Sequence, residues 1–308
     1  MRHSSALSVR LVVGISLIVI FFSTLFSETA ASWSIWIVLA SVVLVGIPHG
    51  AIDHIMAEKI YGLDSSWRGR ALFYGLYLGL MILVGGLWLI QPVLGLLFFF
   101  AISIYHFGQA DMEDFLAQDS SGFSWYIKRG LFIIGLIVFS DTSVSYPIMA
   151  KAVNTNAATI SSLLPDPKIV LYLLFAGYGL TFLYARATSK IENGLRFLAD
   201  SLLLATLFLT AGPIIGFAVY FSLWHSIGHV FEMQRYLREQ SEPMSLLQFY
   251  KSAAPFTLIS LAGLALLATV NHAFGMEEQF IALMFILISV LTLPHMVIVD
   301  KMYGEAGN

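Results

Sequence analysis

The stretch SIWIVLASVVLVGIPHGAIDH, Ser34 to His54, decides the fold. It opens with an uncharged apolar run up to Pro48 and closes with His49, Asp53 and His54. Such a run reads as a membrane-spanning helix, which sets the polar residues at its end inside or beside the hydrocarbon. Ionisable groups are costly there, so they are functional candidates by default.

The pattern continues along the chain, which is 58% hydrophobic and only 11% charged, with mean hydropathy +0.82. Apolar segments can be drawn at 11–26, 33–48, 71–90, 93–107, 126–140, 169–185, 197–211, 213–230, 254–271 and 280–299. Most approach the roughly 20 residues that a spanning helix needs. They predict an all-α, polytopic transmembrane helix bundle of about ten spans. It forms a single domain over 1–308 and crosses the cell inner (plasma) membrane several times. The first segment, 1–27, also has the basic start and small-residue end of a signal peptide or anchor. With ten spans, all of the 16 Lys and Arg except Lys151 and Lys168 fall on one side. Cytoplasmic loops retain positive charge, so both termini are predicted to be cytoplasmic and 141–168 becomes one large outer loop.

Composition also excludes. Without cysteine the chain has no disulfide, catalytic thiol or Cys-held cluster, so a metal must rest on His, carboxylate or carbonyl groups. A net charge of -3 without a basic cluster argues against nucleic acid, whose binding depends on neutralising many phosphates.

Five histidines share a level. His49, His106, His225 with His229, and His295 lie toward the ends of spans that all run in one direction. At about 1.5 Å per residue they sit roughly 18 to 25 Å from the outer starts of those spans. His54 falls deeper, near the cytoplasmic rim. His225 and His229, in WHSIGH, are four apart and share a helical face, a ready pair of donors. With His49 and His106 they make a four-nitrogen set suited to iron, copper or zinc. A carboxylate follows most of these histidines: Asp53, Asp111, Glu232 and Asp300. Metal-bound imidazoles usually give their second N–H to such a group, and helical spacing puts Asp53 on the face of His49. Tyr105, Phe107 and Trp224 are candidate walls of an apolar tunnel. His3 and His272 stand outside the pattern.

Taken together, PHGAIDH, YHFGQAD, WHSIGH and LPHM resemble the Brp/Blh-type β-carotene 15,15′-dioxygenases of bacteria and archaea, in family order from the second span to the tenth. The resemblance implies an oxidoreductase that uses O2 and one non-haem Fe(2+) per chain to cut the central double bond of β-carotene into two all-trans-retinal. It implies His49, His106, His225 and His229 as iron ligands, and leaves His54 and His295 to the surroundings of the metal or the substrate pocket. The product is one that a rhodopsin would take up, and the lipid bilayer is the medium of the substrate. Two other classes share some features. A membrane di-iron hydroxylase or desaturase wants about eight histidines near the cytoplasmic face, where this chain has six. A haem- or metal-carrying membrane protein needs only a facing pair.

Overall fold

A computed structural model describes residues 6–63, 66–117, 122–272 and 277–306. His3 lies outside them. Apart from turns and short connections the described chain is helical, with one isolated bridge between Leu116 and Ile191. The helices are α1 (Ala6–Leu25), α2 (Ser27–Ile60), α3 (Trp67–Ile90), α4 (Pro92–Met112), α5 (Phe123–Phe139), α6 (Thr142–Ala152), α7 (Ala157–Leu163), α8 (Pro167–Ala187), α9 (Gly194–Glu239), α10 (Leu246–Val270) and α11 (Glu277–Ala306). Every apolar segment drawn from the sequence falls on one of them. Among the described residues seven helices are long and apolar enough to cross a membrane, or eight if α5 and α6, bent by 97°, count as one span. The chain is therefore an all-helical, multi-pass membrane protein.

Burial sorts these helices into layers. In the most apolar windows of α9 and α11, 56% of residues are buried, against 11% in α3, 6% in α8 and 17% in α10. The first two form the centre of the bundle. The others turn Leu, Ile and Tyr side chains outward, as helices facing lipid do. A buried hydrogen bond from Trp88 Nε1 to Ser289 Oγ, 3.1 Å long, ties α3 to the central α11.

Three local features shape the interior. First, α9 breaks at Gly212, whose φ of 75° and ψ of 173° suit only glycine, just before Pro213. As a straight rod its 46 residues would run about 69 Å, more than twice the hydrocarbon core. Instead its arms fold toward each other. Phe208 packs so close to Gly216 that a Cβ there would lie 2.5 Å from the ring, although eight residues of straight helix would separate the two by about 12 Å.

Second, α2 and α9 each contain a π-helical turn, Val42–Gly46 and Tyr220–Ser226. Pro48 offers no N–H and crowds the carbonyl four residues back, and a wider turn just before it relieves that conflict. The two π turns pack on each other. At the contact, Phe221 occupies the space that a side chain on Gly46 would need.

Third, α4 and α5 meet backbone to backbone. Gly108 abuts the chain at Tyr126 and Gly130, and Gly130 abuts Ile104. A methyl group at either glycine would overlap a carbonyl oxygen that cannot move alone. Gly130→Ala is therefore expected to cost about 1–3 kcal/mol through overpacking. It should also shift His106, two residues from Gly108, lowering metal content. Thermal unfolding in detergent and metal analysis check both effects.

The segment 141–168, expected to join two spans on the outer side, carries α6 and α7, with α6 packed against α11. The start signals are capping side chains: Asp141 accepts from the Ser143 N–H at 3.0 Å, and Asn156 from the Thr159 N–H at 2.9 Å. Asp166 caps α8 in the same way, with Pro167 as its first residue. α1 packs along the first arm of α9.

Candidate metal centre

The shared level of the histidines becomes a shared point. The rings of His49, His106, His225, His229 and His295 form one cluster with centroid separations of 4.7 to 6.1 Å. Ligand-capable nitrogens of His106, His225 and His229 all lie within 4.8 Å of one another. All five residues are buried, between 1% and 6% exposed. His54 stands apart, half-buried with its ring 4.7 Å from Phe256, and His272 is exposed at the end of α10. WHSIGH delivers its pair across the end of a π turn rather than along regular helix, with the two rings 4.7 Å apart.

Hydrogen bonds fix three of these rings from outside. His49 Nδ1 meets the Gly46 carbonyl oxygen. His295 Nδ1 lies 2.9 and 3.1 Å from the two oxygens of Asp53, which also accepts from the Tyr77 hydroxyl at 2.9 Å. His229 Nδ1 shares a hydrogen bond with the Tyr303 hydroxyl at 3.5 Å and lies 3.4 Å from Glu232, which accepts from that hydroxyl at 2.5 Å. In each case the opposite nitrogen, Nε2, is buried and has no hydrogen-bond partner among the described residues. The same holds for both nitrogens of His106 and for Nδ1 of His225. A buried, unpaired polar atom costs about 1–3 kcal/mol. Six of them, on five clustered rings from four helices, form a site that a bound group would satisfy. A metal ion fits: neutral imidazoles with one nitrogen held and the other bare are its usual ligands.

Several sequence-derived roles change. Asp53 orients His295, not His49. Residues 51 and 52 form a turn between two helical pieces, with Ile52 at φ −95° and ψ 9°, so the helical-face argument fails there. Asp111 does not reach His106. It pairs with the buried Arg129 at 2.9 Å and accepts from Tyr220 at 3.2 Å, while Arg129 also donates to Tyr178 and Ser201. Asp300 does not reach His295 and instead accepts from Tyr105 at 2.5 Å and Gln109 at 3.0 Å. Of the four carboxylates, Asp53 and Glu232 touch histidines of the cluster.

His49, His106, His225 and His295 of the cluster, with His54, line a cavity of about 310 Å³, bounded by α2, α3, α4, α9, α10 and α11 and otherwise lined mainly by apolar groups such as Phe107, Phe221, Ile288 and Leu291. Of the three proposed wall residues only Phe107 lines it, with its ring 4.9 Å from that of His225. Tyr105 turns toward Phe123 and Tyr126, and Trp224 faces another cavity of about 90 Å³, lined by His225 and His229 together with Asp111, Arg129, Asp200 and Glu232. The sequence reading missed Phe221, which stacks on His225 at 5.7 Å, and the aromatic pair Tyr74 and Phe256 at the cavity's other wall. Phe221 sits four residues before His225, a spacing that signalled the contact. Tyr77 and Tyr303 carry no such signal, because their partners lie far along the chain.

A family model described as Beta-carotene 15,15'-dioxygenase matches residues 40–303, which contain all five clustered histidines. The Blh protein of Halobacterium salinarum, described as a probable beta-carotene 15,15'-dioxygenase, is 31% identical over 87% of this chain and 84% of its own length. A beta-carotene 15,15'-dioxygenase from uncultured marine bacterium 66A03 is 28% identical over 87% of this chain and 94% of its own. No solved structure matches the chain. A family-model match across most of the length, with a relative 31% identical over 87% of the chain, establishes that the chain belongs to the β-carotene 15,15′-dioxygenase family.

Proposed function

We propose that this protein cuts the central double bond of β-carotene with O2 to give two molecules of all-trans-retinal, using one non-haem ferrous ion per chain. The observation that carries the reading is the set of buried, partnerless imidazole nitrogens on the wall of an apolar cavity. His49, His106, His225 and His229 would hold the ion. His295, in the same cluster and braced by Asp53, is a fifth donor within reach. A single cluster supports one metal over two. Bound there, ferrous iron supplies the one-electron chemistry that lets ground-state O2 react with a closed-shell polyene.

The chain's own residues do the rest. The Gly46 carbonyl, Asp53 and Glu232 hold three rings with a bare nitrogen toward the centre. Phe107, Phe221, Ile288 and Leu291 keep water out and give the polyene an apolar bed. An alkene and O2 divide into two carbonyls without net proton transfer, so an apolar wall suffices. A substrate dissolved only in lipid explains why the site is built inside a membrane protein. We further propose ten crossings of the cell inner membrane with both termini cytoplasmic. The one-sided distribution of Lys and Arg and the fold of α9 at Gly212 support that count. Released retinal would be available to a rhodopsin in the same bilayer.

Expression in a bacterium that accumulates β-carotene tests the reading. Pigment extracts are expected to lose carotene and gain retinal. Undiminished orange colour beside folded, iron-loaded protein would overturn it.

A further inference from the structure

A second apolar cavity, of about 70 Å³, lies outward of the histidine cluster and shares one wall residue, Phe107, with the first. Its two polar lining residues are already tied: Ser145 donates to the Val138 carbonyl at 2.6 Å, and Trp88 to Ser289. The cavity therefore offers a guest only apolar contact.

Three helices each carry part of its lining at a matching distance from the histidines. Phe285 precedes His295 by ten residues, Leu96 precedes His106 by ten, and Phe217 precedes His225 by eight, and all three line the cavity. At about 1.5 Å per residue these offsets are roughly 12 to 15 Å. A symmetric carotenoid about as long as the 30 Å hydrocarbon core needs about 15 Å for each arm when its central bond faces the metal. A row of rings joins the two places: Phe221 stacks on His225, Phe217 lies 5.0 Å from Phe221, and Phe285 lies 4.9 Å from Phe217.

We propose that this outer cavity seats one end ring of the carotenoid and acts as the stop that brings the central double bond to the metal. This rests on the carotenoid reading above. Phe107 stands at the junction and must turn aside to admit the arm. An end ring is larger than the empty space, so it seats by displacing Met149, an unbranched side chain on the half-buried side of the lining. The other arm and ring occupy the larger cavity, toward Tyr74 and Phe256.

Filling the stop tests the idea. In Ala282→Leu and Ala152→Phe, both on the lining, the ring should seat short of its place and the substrate slide back past the metal. Product analysis is expected to show an unequal pair of apocarotenals, with the ratio of unequal to equal cleavage raised about tenfold or more. Should a variant lose β-carotene turnover entirely, an apocarotenal lacking one end ring should still be cleaved. Three results would overturn the proposal: retinal alone at the wild-type rate, equal loss on both substrates with metal retained, or a raised KM for O2 with retinal still the only product. The last would mark the cavity as a gas site. Wild-type protein that makes no retinal at all would instead defeat the function proposed above.

Discussion

His106→Ala and His225→Ala are expected to lose iron and retinal formation together, by at least the roughly 100-fold that even groups outside the ligands can carry, whereas His272→Ala loses neither. The contrast follows from position: the first two rings stand in the cluster, and His272 is exposed at the end of α10. Loss of activity alone would not separate a ligand from a packing residue. The metal-free proteins do. His106 has two buried ring nitrogens without a hydrogen-bond partner among the described residues, so in the absence of metal its imidazole is a burden on the fold. Removing it relieves a penalty of about 1–3 kcal/mol per unpaired group, set against the cost of the cavity that is left. Metal-free His106→Ala should therefore unfold no earlier than metal-free wild type, while iron raises the unfolding temperature of wild type only. A variant that melts early with and without metal would show that His106 is there for packing.

How far the sequence could be read depended on which geometry a residue obeys. Apolar runs such as 71–90 and 254–271 needed only composition, because lipid imposes helix on any long apolar stretch. The convergence of His49, His106, His225 and His295 needed only a rise per residue, which survives kinks that alter rotation about the axis. Rotation was less forgiving. Asp53 was assigned to His49 by a helical angle that the turn at Ala51 and Ile52 cancels. Asp111 and Asp300 were assigned by proximity along the chain, yet their partners Arg129 and Tyr105 come from other helices. The helices within 141–168 went unread because they are short and polar at their starts, although Asp141, Asn156 and Asp166 are the residues that begin helices. The outer cavity was invisible from sequence, since it exists only where α3, α4, α5, α6, α9 and α11 meet.

The corrected partner of Asp53 carries the second large effect. Asp53→Asn keeps the size of the side chain but weakens the acceptor that holds His295 Nδ1, so iron affinity should fall about 10–100-fold. Retinal formation should fall with it at limiting iron and recover when iron is supplied in excess, because Asp53, although on the cavity lining, is replaced by a side chain of the same size. Tyr77→Phe removes one hydrogen bond to Asp53 and should give a smaller shift in the same direction. The route of the effect can be read by coupling. If Asp53 acts through His295, the substitution adds little in a His295→Ala background, where the ring it steadies is already gone. It should add fully to Glu232→Gln, which loosens His229 on another helix. Iron titrations of the single and double variants measure both. A further loss of affinity on placing Asp53→Asn in the His295→Ala protein would return Asp53 to His49, where helical spacing first put it. The Gly46 carbonyl already occupies the outer nitrogen of that ring, and this is why the coupling is expected to run through His295 instead.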